Sequence, residues 1–257
     1  MNTLGLETTA LGFVAGFTGK AIEDGLAAQG IHTDFIHLPE GNSRINVKVK
    51  HGDETEINGQ GPVITEEAIN ELFAKLDTLT KEDILVLAGS IPNTLPEDIY
   101  EKILASLESK GIRVVVDATK DLLLNVLKYH PFLIKPNNHE LGEMFGTVCK
   151  TDEDIVHYAK KLQEKGAVNV LISMAGDGAI LITEDGQNIK MGTPKGKVVN
   201  SVGAGDSMVA GFITGYIRGG NYEEALKSGT AAGSATAFSE GLASQEMYEK
   251  MLKQITE

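Results

Sequence analysis

The residue types most able to do chemistry lie in Asn200-Ser-Val-Gly-Ala-Gly-Asp-Ser-Met-Val-Ala-Gly211. Gly203, Ala204 and Gly205 leave the backbone uncovered, so its N–H groups can face outward. A helix beginning at Asp206 aims its positive end at the same spot. Open amides and that dipole together make an anion site, typically for phosphate. Asp206 then repels the ligand unless it does chemistry or works through a metal ion. As a base it can take the proton of a hydroxyl that attacks the phosphate. The plainer alternative is a tight Gly-x-Gly turn with Asp as a helix cap.

Other clusters offer companion chemistry. Ser173-Met-Ala-Gly-Asp-Gly178 brings a hydroxyl and two glycines. It can wrap nucleotide phosphates or form a hairpin turn into Ala179. Asn137 and Glu140 stand three apart at a helix start, so both can point the same way. Their oxygens suit Mg²⁺, usually through water, or else a capping box. Gly89-Ser90 can offer an amide and a hydroxyl to a second anion. The formal charge is −13, so an anionic substrate needs a local cationic cluster, for which Arg44, Lys48 and Lys135 are the candidates. The small-residue face Ala231-Ala-Gly-Ser-Ala235 admits an adenine ring or another helix.

Several classes are excluded. Such an acidic chain is a poor nucleic-acid binder, because that binding rests on neutralising phosphates. No segment has the apolar length of a membrane span, and the N-terminus lacks a signal pattern. Cys149 is the only cysteine, which rules out an intrachain disulfide and fits a reducing cytoplasm. There is no Gly-x-Ser-x-Gly elbow, no His or Cys pair with zinc spacing, and no Walker loop. A Rossmann fingerprint fails because position 208 is Met where the third glycine belongs.

The elements that position these clusters alternate from about residue 65 onward. Thr65 caps a helix with Ile69, Leu72, Phe73 and Leu76 on one face. Ile84-Leu-Val-Leu-Ala is a continuous apolar run of the kind a buried parallel strand shows. A helix follows Pro96 with Ile99, Ile103, Leu104 and Leu107 together and stops at Gly111. Arg113-Val-Val-Val-Asp, Phe132-Leu-Ile-Lys and Asn169-Val-Leu-Ile-Ser read as further strands, with helices at Asp121 to Lys128 and from Thr151 to Gly166. Three helices close the chain, at about 206–218, 222–237 and 245–255. Such βα units make an α/β fold with a parallel sheet covered by helices on both faces. Arg44-Ile-Asn-Val-Lys-Val-Lys, turning at His51-Gly-Asp-Glu into Thr55-Glu-Ile, reads as an antiparallel hairpin with one wet face. A second hairpin, around 179–191, precedes the glycine motif. Every polar or glycine-rich cluster falls after a strand, the side on which open α/β sheets bind ligands.

Together the motifs resemble the ribokinase-like (PfkB) sugar kinases. The run Asn200 to Gly211 resembles that family's C-terminal signature. Lys135-Pro-Asn-Asn-His-Glu-Leu141 resembles its Asn-x-x-Glu element, and Ser173 to Gly178 its nucleotide loop. The resemblance extends from about residue 4 to the C-terminus. It implies a ribokinase-like sheet sandwich with a small antiparallel lid at about 44–60, in one domain spanning residues 1–257. It implies that ATP gives its γ-phosphoryl group to a phosphosugar, fructose 1-phosphate first and tagatose 6-phosphate as the alternative. Asp206 would be the base and Gly203, Ala204 and Gly205 the anion hole. Ser173, Gly176, Gly178 and Lys135 would hold ATP, and Asn137 and Glu140 would support Mg²⁺. Arg44, Ser90 and Lys48 would meet the sugar's own phosphate. A homodimer formed through the lid is also implied.

One departure from the family pattern carries an expectation. The family's N-terminal part supplies a first core strand, a substrate-binding Asp, part of the lid and a Gly-Gly-Lys-Gly-type loop. Met1-Asn-Thr-Leu-Gly enters after these. The chain is therefore expected to be N-terminally truncated, with exposed apolar sheet surface and an unpaired edge. The nucleotide half is complete and the sugar half is not, so a catalytically impaired nucleotide-binding fragment stands beside the active kinase as an alternative. An NAD-binding oxidoreductase is a third.

Overall fold

The computed structural model describes residues 1–51, 53–89 and 91–256; the side chains of residues 48, 50–51, 53–56 and 256 lie outside that description. The chain opens with β1 (Thr9–Ala10), β2 (Phe13–Ala15), α1 (Gly16–Ala28), β3 (His32–Thr33), β4 (Ile36–Leu38), β5 (Asn46–His51) and β6 (Asp53–Asn58). It continues through α2 (Glu66–Asp77), β7 (Ile84–Ala88), α3 (Ile99–Leu107), β8 (Arg113–Asp117), α4 (Lys120–Val126), β9 (Leu133–Ile134), α5 (Asn138–Met144), α6 (Asp152–Glu164) and β10 (Asn169–Ser173). It ends with β11 (Ala179–Ile182), β12 (Asn188–Met191), α7 (Ala204–Gly219), α8 (Tyr222–Ala237) and α9 (Gln245–Thr256).

The main sheet has six strands in the order β12-β11-β10-β9-β8-β7. From β7 to β10 the pairing is parallel, and β11 and β12 add antiparallel strands at one end. The sheet is therefore mixed, because the second hairpin joins it directly. Side chains alternate faces along each strand. Val114, Val116, Ile134, Val170 and Ile172 enter a core with Leu104, Leu123, Ile155 and Leu162 from α3, α4 and α6. Val115, Leu133, Leu171 and Leu181 enter the opposite core with Met208, Phe212 and Leu226 from α7 and α8.

Local signals set the element ends as expected. The Thr65 side chain accepts from the Ala68 amide, and Thr151 forms a capping box with Asp154. The small-residue face of α8 takes the helix-packing alternative. Ser228 Oγ donates to the Gly211 carbonyl of α7 at 2.7 Å, and Ala231 and Ala235 pack with Met251 of α9.

Two findings bear on the sequence expectation. β7, read as a buried strand, has no strand on its outer side among the described residues, in line with the expected unpaired edge, so only Leu87 is buried while Ile84, Leu85 and Val86 stay half-covered. An apolar run alone does not distinguish an edge strand from a central one. The first forty residues, for which periodicity gave no elements, form α1 and two small parallel pairs, β1 with β3 and β2 with β4. The β5–β6 hairpin stands as its own two-stranded sheet, antiparallel as expected, with Val47 opposite Ile57 and with His51 opposite Asp53, so that strand pairing runs into the stretch read as the turn. Among the described residues no helix is long and apolar enough to cross a membrane.

Candidate active site

Parallel pairing brings the ends of β8, β9 and β10 to one side of the sheet, and the polar residues follow them there. Asp117 ends β8, and Lys135 comes directly after β9. The Lys135 ammonium lies 3.3 Å from Asp117 Oδ1, with side-chain exposures of 8% and 17%. A buried ion pair is weak evidence for stability, because desolvation offsets the attraction; holding a cation at a defined point is the better account. Burial pushes the Asp117 carboxyl above the usual range; Lys135 opposes this, and the nearby charges of Asp206 and Glu140 add to it.

α7 starts at Ala204, two residues earlier than read from sequence, with Gly203 as N-cap in the left-handed region at φ 78°. Asp206 therefore sits in the first turn, exposed, where a carboxylate complements the dipole. The Ala204 amide donates to the Ser201 carbonyl at 3.2 Å. The amides of Gly203 and Gly205 carry no backbone partner among the described residues, so these two are the open donors of the expected cradle. A Cβ at position 205 would stand 3.0 Å from Lys135 Nζ. The Lys135 ammonium thus comes up close beneath the helix N-terminus.

Asn137 and Glu140 form a capping box on α5. Asn137 Oδ1 accepts from the amides of His139 and Glu140, each at 2.9 Å, and Glu140 Oε2 accepts from the Asn137 amide at 2.8 Å. The capping alternative is realised, and it fixes both side chains at the strand ends. No group of three His, Cys, Asp or Glu side chains forms a direct metal cage among the described residues. Hard oxygen donors nevertheless stand at the strand and helix ends: Asp117 beside Lys135, Glu140 in the first turn of α5 and Asp206 in the first turn of α7. That donor set fits Mg²⁺ held through water.

Ser173 ends β10 and bridges Asn137. The following 175–177 turn leads into β11, so the hairpin alternative also holds. Gly178 has φ 93°, and a Cβ there would meet the Met191 carbonyl oxygen at 1.9 Å. Ala175 takes φ 48°, an uncommon conformation for a non-glycine residue. Gly176 is exposed, with open space around its Cα.

Arg44 lines a cavity of about 650 Å³ with Ser43, Asn58, Gln60 and Asn93. Asp206 and Lys135 do not line that cavity. Lys48 lies on β5 in register with Glu56; its side chain, and the whole of Ser90, lie outside the described residues. Asp117 is the residue that sequence reasoning placed at a strand end but gave no role. Its position one strand from Lys135 was the available signal.

A family model for pfkB carbohydrate kinases matches residues 1–248. The chain belongs to the pfkB family of carbohydrate kinases. It is 50% identical over 246 residues to the 1-phosphofructokinase of Bacillus subtilis, covering 96% of this chain and 80% of that one. It is 39% identical over 256 residues to the D-tagatose-1-phosphate kinase of Bacillus licheniformis, covering 99% and 84%. The crystal structure of phosphofructokinase-2 from Escherichia coli in complex with substrates and products matches with a TM-score of 0.90 at 25% identity, over 99% of this chain and 84% of that one. The ribokinase-like α/β fold expected from the motifs is therefore correct, and the enzyme is a sugar-phosphate kinase.

Proposed function

We propose that this kinase transfers the γ-phosphoryl group of ATP to a free hydroxyl of fructose 1-phosphate, giving fructose 1,6-bisphosphate and ADP. The observation that carries this reading is the stacking of Lys135 beneath Gly205, with Asp206 one residue on. In that arrangement Asp206 accepts the hydroxyl proton as the oxygen attacks phosphorus. The amides of Gly203 and Gly205, joined by Ala204 when its amide turns from Ser201, face the charge that builds on the transferred group. Lys135 adds a buried positive charge at the same point. Ser173, Gly176 and Gly178 border the nucleotide, and the exposed Leu242, which comes within 3.0 Å of where a Cβ on Gly203 would stand, offers apolar surface beside them. Asn137 and Glu140 would hold Mg²⁺ through water; bound there, the ion would offset negative charge on the phosphates. Arg44 meets the sugar's phosphate, with Ser90 and Lys48 as its companions.

We take residues 1–257 as one kinase domain with the β5–β6 hairpin as its lid, working in the cytoplasm. Val47, Val49 and Ile57 are exposed, and alternation with the Val47↔Ile57 register puts them on one face of the hairpin. This supports a homodimer closed through the lid.

A coupled ADP-release assay with Mg²⁺ tests the reading against fructose 1-phosphate, tagatose 1-phosphate, tagatose 6-phosphate and fructose 6-phosphate. Fructose 1-phosphate should give the highest kcat/KM; a higher value for either tagatose ester reassigns the acceptor. The Arg44 cavity, which Asp206 and Lys135 do not line, favours one second reading, a chain that binds nucleotide without transferring phosphate. ATP-dependent thermal stabilisation without ADP release from any of the four esters would select it.

A further inference from the structure

α7 carries the candidate base in its first turn, yet little along the chain holds that turn in place. α2, α5, α6 and α8 each begin on a side-chain cap, from Thr65, Asn137, Thr151 and Asn221. α7 begins on Gly203 without a side-chain cap bond, and its second residue is Gly205. Glycine loses the most backbone freedom on ordering and disfavours helix. A first turn of this composition frays unless a tertiary contact fixes it.

The last turn of α8 supplies that contact. The Thr236 hydroxyl donates to Ser207 Oγ at 2.8 Å, one residue beyond Asp206. The next carbonyl along, that of Ala237, accepts from the amides of Val199 at 2.8 Å and Asn200 at 3.1 Å. The segment from Asn200 to Ser207 holds the whole cradle and Asp206, and it is tied at both ends to two consecutive residues of α8. Between the ties α8 backs directly onto the cradle: a Cβ at Gly233 would stand 3.1 Å from the Ala204 carbonyl oxygen. Thr236 Oγ1 also accepts from the Ala243 amide at 3.3 Å, next to Leu242, whose side chain lies against Gly203. Thr236 is 1% exposed, so its hydroxyl is out of reach of bulk water. One buried hydroxyl therefore joins the start of α7 to the segment that flanks Gly203.

We infer that Thr236 is a positioning residue for phosphoryl transfer, holding through Ser207 the turn that carries Asp206 and the open amides of Gly203 and Gly205. A base and its neighbouring donors must be held to within about 0.5 Å of the productive geometry. An apolar side chain of the same shape would fill the same junction but leave Ser207 untethered and the Ala243 amide without its partner. The effect on transfer rests on the functional reading that makes Asp206 the base; the tether itself does not.

Thr236→Val tests this with the side-chain shape kept. In the ADP-release assay kcat should fall at least about tenfold, because misplacement by about 1 Å at a distance from the chemistry can cost about 10². KM for ATP and for fructose 1-phosphate should each stay within about twofold, as expected for a loss confined to the transition state. Thr236→Ser keeps the hydroxyl and should restore kcat to within about twofold of the parent. Ser207→Ala, at a half-buried position, removes only the acceptor and decides the matter if Thr236→Val does not fold. It should lower kcat as much as Thr236→Val does, and joining the two should add no more than about twofold, since partners in one bond are not additive. Thr214→Val is the control. That hydroxyl is also buried but bonds within α7, to the Ala210 carbonyl at 2.7 Å, so its removal should leave kcat unchanged. Hydrogen exchange gives a readout without turnover. The Ser207 amide, bonded to the Gly203 carbonyl at 2.9 Å, should exchange at least about tenfold faster in Thr236→Val and at the parent rate in Thr236→Ser. A Thr236→Val enzyme that melts earlier but keeps the parent kcat, a raised KM with kcat unchanged, no rescue by serine, or unchanged Ser207 exchange would each overturn the inference. Exchange is read whether or not the chain transfers phosphate, so failure of the tether and failure of the kinase reading are separate results.

Discussion

The ends of β8, β9 and β10 and the margin at β7 belong to one sheet but are held differently. At the first, every strand has neighbours on both sides, and Val115, Leu133, Ile134, Val170, Leu171 and Ile172 are wholly buried. The polar groups there have partners: Lys135 has Asp117, and Asn137 and Glu140 bind each other's amides. At the second, apolar strand residues are half-covered, and β1 to β6 form pairs rather than a continuous sheet. Chemistry that needs side chains held to fractions of an ångström belongs where the backbone is paired on both sides. The strand ends beside Lys135 meet that condition; the margin at β7 does not.

The sharpest way to break this comparison is Asp206→Asn. Turnover should fall by about 10²–10⁴, the usual contribution of a positioned base, with the thermal midpoint little changed because Asp206 is exposed. A fall of less than tenfold in the ADP-release assay removes Asp206 from the base role. Lys135→Met comes next. It leaves Asp117 buried without its cation and should destabilise by roughly 3–5 kcal/mol, measured by urea unfolding; a loss under 1 kcal/mol would mean that water already solvates the pair. Third, Gly178→Ala should destabilise by about 1–3 kcal/mol, from strain at φ 93° and collision with Met191. Gly176→Ala, in the same loop but in open space, should stay within about 0.5 kcal/mol. Equal melting shifts for the two would mean that the loop relaxes freely.

Two smaller effects sharpen the contrast. Asn137→Ala and Thr65→Ala each remove one helix cap, at about 1 kcal/mol. Only the first should lower turnover, because α2 lies away from the strand ends; matched kinetics would leave Asn137 with a capping role alone. The smallest effect is a pH dependence at Asp117. Its folded carboxyl titrates above the usual value of about 3.9, so the folded state favours the protonated form. Its contribution is fully present below about pH 3.9 and is lost as pH rises through the raised value. The stability of the parent relative to Asp117→Asn should therefore decline across that window. A relative stability that grows with pH would show that the pull of Lys135 outweighs burial.

Much of the fold could be read in advance where one short-range rule decided the outcome. Thr65 and Thr151 were legible as caps because an N-cap needs only a side-chain oxygen and an amide three residues on. β8 and β10 were legible from apolar runs, and the faces of α3 and α6 from helical spacing. β1 to β4 were not legible. Two or three residues are too few for a period, and their partners are distant, as in Phe13↔Ile36. The two open alternatives at Asn137 and at Ser173 to Gly178 both resolved toward local hydrogen bonding without removing the residues from the strand ends.

Residue types and spacing already carried the glycine-flanked Asp206, the Lys135 to Glu140 cluster and the helix–strand alternation, because each depends on neighbours along the chain. The meeting of Lys135 with Asp117 and Gly205 depended on three segments far apart in sequence. Parallel pairing of β8 with β9, and packing of α7 over them, put those segments at one point. The partial cover of β7 was likewise not visible in its apolar letters, since cover depends on which segments pack beside a strand.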